Sequence, residues 1–231
     1  HMRDEPMPVA IALGADPATL LSAALPLPEQ ISEMAFSGVL RGARSELAHA
    51  KTVPLLVPAR AEIVIEGWVH PGDTAPEGPF GDHTGYYNAV EPFPVMRVST
   101  ITHRKDPLYL TTMTGRPPDE PSVIGEVFNT LALPVIRAQI PEIRDLWLPP
   151  AACSYRMAVI SINKRYAGQA RRVMMALWGM LAQFSYTKTI IVVDDDIDVR
   201  SWDDIAWAMA TRMDPARDVM VLKDTPMDYL D

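Results

Sequence analysis

The chain of 231 residues has a single cysteine, Cys153. That excludes an internal disulfide framework and a cysteine-rich zinc site, and it fits a reducing cytosol. Positive charge is scarce: 21 Lys and Arg stand against 29 Asp and Glu, a net charge of −8. A general nucleic-acid binder normally carries a basic face, so no nucleic-acid partner is expected. No apolar run reaches the roughly 18 residues of a membrane span. The polar start carries no signal peptide, which points to a cytoplasmic protein, and His1-Met2 reads as a cloning scar. Three mechanistic loops are absent as well: G-x-x-x-x-G-K-[ST], G-x-G-x-x-G and the G-x-S-x-G elbow. Nucleotide binding by those loops and serine hydrolysis are therefore unsupported, and the five histidines include no H-E-x-x-H pair.

Proline and methionine are abundant, with 22 and 13 residues. Met174, Met175 and Met180 lie in an expected helix and read as core filler. The pattern predicts a strand over 8–13, then a helix over 18–24 behind an Asp16 N-cap and Pro17. A second helix is expected over 29–40, burying Ile31, Met34, Phe36 and Leu40, with Gly42 beyond its end. Strands are expected over 62–70, 95–104 and 108–113, an antiparallel sheet or barrel. A helix follows to about residue 132.

The last third alternates: strand 157–162, helix 167–184, strand 189–193, helix 202–213 and strand 218–222. That order predicts an α/β unit with mostly parallel pairing and a boundary near Pro149-Pro150. Asp194-Asp195-Asp196 follows a strand end, where a magnesium ion or the start of the next helix would use acids. Lys164, Arg165, Arg171 and Arg172 read as a phosphate contact or as a solvated surface.

The densest chemistry is PEGPFGDHTGYYN, residues 76–88. Its glycines and prolines argue for a defined loop rather than a helix or regular strand. Glu77 and Asp82 are the best catalytic candidates. Two carboxylates brought together and partly desolvated titrate apart, one upward, giving an acid able to deliver a proton near neutral pH. His83 stands next to Asp82 and would orient a substrate.

The same stretch resembles the signature of the UbiD decarboxylases, which use prenylated FMN. SEMAFSGVLRG (32–42), TGRPPDEP (114–121), CSYR through YAGQARRVMMALW (153–178) and the stretch 194–218 resemble that family too, so the likeness spans nearly the whole chain. It is nearest to the bacterial 3-octaprenyl-4-hydroxybenzoate carboxy-lyases. The resemblance implies that Asp82 is the proton donor and that Glu77 belongs to a Glu-Arg-Asp network controlling it. It implies that Glu33 binds a divalent metal, usually manganese, that bridges to the flavin phosphate. The main chain from Ser22 through Leu25 and Pro26 would line the cofactor and a monovalent-ion site suited to potassium. His83 would border the substrate.

The implied activity is non-oxidative decarboxylation of 3-polyprenyl-4-hydroxybenzoate to 2-polyprenylphenol in ubiquinone biosynthesis, with another aromatic acid as the alternative. A flavin prenyltransferase would supply the cofactor, and a homo-oligomer peripheral to the inner membrane is implied for the parent enzyme. The implied fold is mixed α+β. Residues 1–150 form part of a split β-barrel that binds prenyl-FMN, and 151–231 start an α/β domain with a mostly parallel sheet. The network arginine and an asparagine and histidine metal ligand are expected upstream of this chain. A lysine toward the cofactor phosphate and an oligomerisation helix are expected downstream. This polypeptide alone is thus expected to be weakly active or inactive, a folded core of the parent.

Overall fold

The computed structural model describes residues 4–25, 27, 30–180 and 182–227. They form two compact units, His1–Phe80 with Tyr87–Thr112, and Gly81–Tyr86 with Met113–Asp231.

In the first unit, β1 (Met7–Leu13) leads into α1 (Pro17–Ala24) and α2 (Glu33–Arg41). Asp16 caps α1, accepting from the amides of Ala18 and Thr19 at 3.1 and 3.3 Å, and its carboxylate also pairs with Arg41 from the end of α2. α2 begins at Glu33 behind its Ser32 cap, four residues later than the pattern suggested, and stops at Gly42. Only Ser37 of this helix is buried; Ile31 is exposed, and Met34, Phe36 and Leu40 are half-buried. Their apolar side meets no core within this unit, which corrects the expected burial.

A hairpin, β2 (Leu47–His49) with β3 (Leu56–Pro58), precedes the long antiparallel ribbon of β4 (Ile63–Glu77) and β5 (Glu91–His103). The sheet order is β1-β4-β5. Among the described residues no sheet closes into a barrel, and the mixed α+β class holds. Residues 108–113 form no strand; Leu108, Tyr109 and Leu110 are exposed and lack a neighbouring strand. The register shifts between Glu66 and Gly67, where β5 carries the extra residue Ser99. A Cβ at Gly67 would lie 2.2 Å from the Arg97 carbonyl oxygen, so the ribbon closes here only on glycine.

The alternation of β4 assigns Glu66 to the polar face, yet its side chain is 1% exposed. Its carboxylate accepts from the amides of Lys51 and Thr52 at 2.9 and 2.6 Å and from the Thr52 hydroxyl at 2.8 Å. A fully paired acid thus ties the β2–β3 connection to the sheet. Val57, Ala61 and Val64 pack close by.

The second unit is built on the sheet β6-β7-β8, with β6 (Ile143–Trp147) antiparallel and β8 (Thr189–Asp194) parallel to β7 (Met157–Ile162). The antiparallel β6 was not expected. Ile136 of α3 (Glu120–Gln139) and Val173 and Leu177 of α4 (Gln169–Met180) bury one face against Ala158, Ile160 and Ile162. Ile205 of α5 (Trp202–Arg212) covers the other face with Trp147 and Val159. Helices on both sides make β7 apolar on both faces, which is why it reads as an uninterrupted run. α4 ends at Met180, and a 3₁₀ turn over Ala182–Tyr186 carries Phe184 into the core. Met174 packs on that core, whereas Met175 is exposed. The expected final strand is absent: α6 (Pro215–Asp218) is followed by irregular chain. The expected boundary at Pro149-Pro150 falls between the paired strands β6 and β7.

Candidate active site around Asp82

Three stretches of the second unit meet at the turn that carries Asp82. The first is the turn 81–86 itself. The Asp82 amide donates to the Tyr86 carbonyl at 3.3 Å and the Gly85 amide to the Asp82 carbonyl at 2.8 Å. Gly85 has φ +83°, and a Cβ there would stand 2.8 Å from the Arg116 Cβ and 3.2 Å from its backbone. The second stretch is the one carrying Arg116. It ends in the Asp119 cap of α3, a reciprocal pair in which the Ser122 amide donates to Asp119 at 3.0 Å and the Asp119 amide to the Ser122 hydroxyl at 2.8 Å. The third is Cys153-Ser154, two consecutive non-glycine residues in the left-handed region, φ +53° and +60°. The Cys153 thiol donates to the His83 carbonyl at 3.5 Å and the Ser154 hydroxyl to the Pro121 carbonyl at 3.4 Å. Strained backbone of this kind persists where its surroundings hold it, and it clusters at functional sites.

Asp82 and His83 have side chains 21% and 16% exposed. The Asp82 Oδ1 accepts from the His83 backbone N–H at 2.6 Å and faces its ring Nδ1 at 2.9 Å. Burial pushes the Asp82 carboxyl up, but the ring and backbone hydrogen bonds of His83 and its charge outweigh that. The carboxyl sits below the ordinary aspartate range. The upward shift expected of one member of a Glu77–Asp82 pair is not what this turn alone gives Asp82: within its own unit it rests as a carboxylate. Burial raises the Cys153 thiol, so it is no ready nucleophile.

The loop packing yields a direct test. Gly85→Ala forces both a left-handed alanine and a contact with Arg116, so it should cost about 2 kcal/mol of unit stability. Urea unfolding of the variant checks this, and an unchanged midpoint would refute the packing.

The other residues expected from the sequence to serve the site belong to the first unit. Glu77 ends β4 as an exposed residue directly opposite Glu91, an unfavourable like-charge pair that a cation would relieve. Glu33 is exposed on the first turn of α2. Leu25 is buried, its amide donating to the Leu21 carbonyl, and its carbonyl accepts from Leu27 at 2.8 Å. Ser22 is buried too, and Pro26 lies outside the described residues. Among the described residues no three His, Cys, Asp or Glu side chains gather to hold a metal ion.

That holds for the acidic run as well. Arg212 pairs with Asp196 at 2.6 Å, and Asn163 donates to Asp195 at 2.6 Å. The following helix is capped by Ser201 rather than by that run. Arg172 pairs with Glu142, and Arg171 donates to the Arg217 carbonyl. Sequence reasoning gave Arg116 and Cys153 no role. Glycine at 85 was the available signal for Arg116, whereas left-handed Cys and Ser have none.

The sequence matches two family descriptions end to end: the UbiD 3-octaprenyl-4-hydroxybenzoate carboxy-lyase Rift-related domain over residues 1–117 and the corresponding C-terminal domain over 122–231. Three solved relatives are similar over most of this chain. The UbiD-class enzyme HmfF from Pelotomaculum thermopropionicum in complex with FMN is 34% identical, with TM-score 0.81, over 99% of this chain and 50% of its own. An evolved dimeric form of it was solved with prFMN. Vanillic acid decarboxylase from Sedimentibacter hydroxybenzoicus in closed form is 28% identical, with TM-score 0.92, over 99% of this chain and 48% of its own. The apo 3,4-dihydroxybenzoic acid decarboxylase of Klebsiella pneumoniae is 28% identical, with TM-score 0.73, over 93% and 46%. The chain thus spans about half the length of these relatives. With both family descriptions matched, the chain belongs to the UbiD family of decarboxylases.

Proposed function

We propose that the protein acts in the non-oxidative decarboxylation of an aromatic acid with a prenylated FMN cofactor, Asp82 supplying the proton that replaces the lost carboxyl group. The observation that carries the reading is the Asp82 carboxyl itself. It is mostly buried in the glycine-proline turn of the family signature, with one oxygen engaged twice by His83. The first substrate to test is 3-polyprenyl-4-hydroxybenzoate, giving 2-polyprenylphenol in ubiquinone synthesis, because both matched descriptions carry that acid's name. A smaller hydroxylated benzoic acid is the second reading, favoured by the relatives named for vanillic and 3,4-dihydroxybenzoic acid.

The flavin, when bound, supplies the electron sink for decarboxylation. This chain's part is to position groups and hold a proton. Glu77, opposite Glu91, suits a cationic partner that would couple it to Asp82. Glu33, exposed and unpaired among the described residues, would offer one carboxylate to a manganese ion at the flavin phosphate. One carboxylate does not make a metal site, so the ion needs ligands beyond these, and no step is derived through it. The main chain of 22–26 is proposed to line the flavin and a potassium ion. The flavin-binding role is proposed for residues 1–150, and 151–231 as the start of the C-terminal domain. A flavin prenyltransferase as supplier, self-association of the whole enzyme and contact with a membrane surface through the prenylated substrate complete the proposal. No described helix is long and apolar enough to cross a membrane.

The test is the full-length protein co-expressed with a flavin prenyltransferase. A flavin absorbance and release of carbon dioxide from one of the three acids are expected. Flavin-free protein that releases none from any of them would refute the reading.

A further inference from the structure

The turn treats the two oxygens of Asp82 unequally. Oδ1 accepts the His83 amide at 2.6 Å and faces the ring Nδ1 at 2.9 Å, while Oδ2 has no hydrogen-bond partner among the described residues. The pair cannot swing freely. The Asp82 backbone is closed onto Tyr86 and Gly85, and the His83 carbonyl is held by the Cys153 thiol. A carboxylate only accepts, so the ring hydrogen lies on Nδ1. The other ring nitrogen, Nε2, is buried without a partner among the described residues. Such an Asp–His contact fixes tautomer and orientation together.

We propose that His83 is a positioning residue that divides the Asp82 carboxyl into an anchored oxygen, Oδ1, and a proton-carrying oxygen, Oδ2. The proposal rests on the reading of Asp82 as proton donor. A proton on Oδ1 would have to displace one of two donors, whereas Oδ2 has its lone pairs free. When the substrate's carbon–carbon bond breaks and carbon dioxide leaves, the electron pair stays with the ring carbon. The proton departing Oδ2 forms the new carbon–hydrogen bond. The negative charge left on Asp82 is met by both His83 donors, and a solvent proton restores Oδ2 before the next turnover. Among the described residues His83 is the one titratable side chain in contact with the carboxyl; Cys153 touches only the His83 carbonyl, and Arg116 packs on Gly85.

Two measurements decide it. In this chain, nitrogen-15 spectra should show the Nδ1 of His83 carrying a hydrogen, and Asp82→Ala should move the ring toward the usual Nε2-protonated tautomer. A wild-type ring protonated on Nε2 alone overturns the proposal. In the full-length flavin-loaded enzyme, His83→Leu should lower kcat about tenfold or more, with little change in KM. It should also move the alkaline limb of the kcat–pH profile, where the donor loses its proton, to higher pH, because burial then acts on Asp82 without the ring to counter it. His83→Asn, whose amide N–H can replace Nδ1–H, should recover activity to within about threefold of wild type. A His83→Leu variant with an unmoved pH profile overturns the proposal. An Asp82→Asn variant that stays active overturns the donor reading and this proposal with it. A wrong tautomer combined with an inactive Asp82→Asn variant overturns the positioning role alone.

Discussion

Asparagine at position 82 should lower kcat of the full-length, flavin-loaded enzyme by at least about a hundredfold, the lower end of what a positioned general acid contributes. The substitution is close to isosteric, and the turn decides how it sits. Both donors of His83 point at Oδ1, so the carbonyl oxygen of asparagine takes that place and its NH₂ takes the place of Oδ2. The hydrogen bonds that shape the turn survive, while the group at Oδ2 can no longer release a proton. Folding stability should therefore change by less than about 1 kcal/mol, and KM should move little, since the loss falls on the chemical step. Steady-state kinetics beside a urea unfolding curve separates the two effects. If the variant keeps a tenth or more of wild-type kcat, the proton comes from another group. If unfolding shifts as much as activity falls, the residue is structural.

The resting state of Asp82 shapes this expectation. His83 holds the carboxyl below the ordinary aspartate range, so near neutral pH the isolated turn stores a carboxylate. An acid in that position must be loaded during turnover. Negative charge brought beside it by a bound substrate acid would favour protonation of Asp82. The desolvation argument from sequence raises one member of a carboxyl pair, and in this turn Asp82 by itself is held down instead. Burial does raise Asp82, but a histidine one position along donates twice to the same oxygen, and that depends on a turn whose dihedral angles no composition reveals.

Other elements were legible or not for similarly local reasons. β7 and β8 read clearly because helices cover both faces of their sheet, leaving apolar runs bounded by polar residues. The run LYLTTM at 108–113 has the same composition but no strand beside it, so strand propensity had nothing to pair with. Residues 218–222 failed for the same reason. The periodicity of α2 was real, yet its apolar side lies half-exposed, because amphipathic spacing reports a preference for burial rather than the presence of a cover. Cys153 and Ser154 were invisible as a turn, since nothing in a Cys-Ser pair announces two left-handed residues.

The largest effect on stability should come from Glu66→Ala, about 3 kcal/mol, because the hydrogen bonds of one buried carboxylate to Lys51 and Thr52 are lost at once. The wild-type carboxylate gathers the amides of Lys51 and Thr52 and the Thr52 hydroxyl. That hydroxyl also meets Ser99, whose own hydroxyl approaches the Glu66 carbonyl, so the cluster joins the β2–β3 connection to β4 and β5. Glu66→Gln should cost less, about 2 kcal/mol, since one acceptor oxygen remains while an NH₂ now faces donors. Burial raises the Glu66 carboxyl, but the hydrogen bonds outweigh it and hold the group below the usual glutamate range. A carboxyl whose folded value is depressed stabilises the fold fully above its unfolded value, near pH 4.3–4.5, and loses that contribution as pH falls through the folded value. The gap between wild type and Glu66→Gln should therefore be constant above about pH 5 and narrow in acid. Trp68 on β4 is the one tryptophan of the first unit, and hydrogen exchange of the β4 and β5 amides assigns the change to that unit. A gap that stays the same at pH 3 would mean that shape rather than charge holds Glu66 in place. No gap at either pH would mean that the connection it pins is anchored by its other contacts.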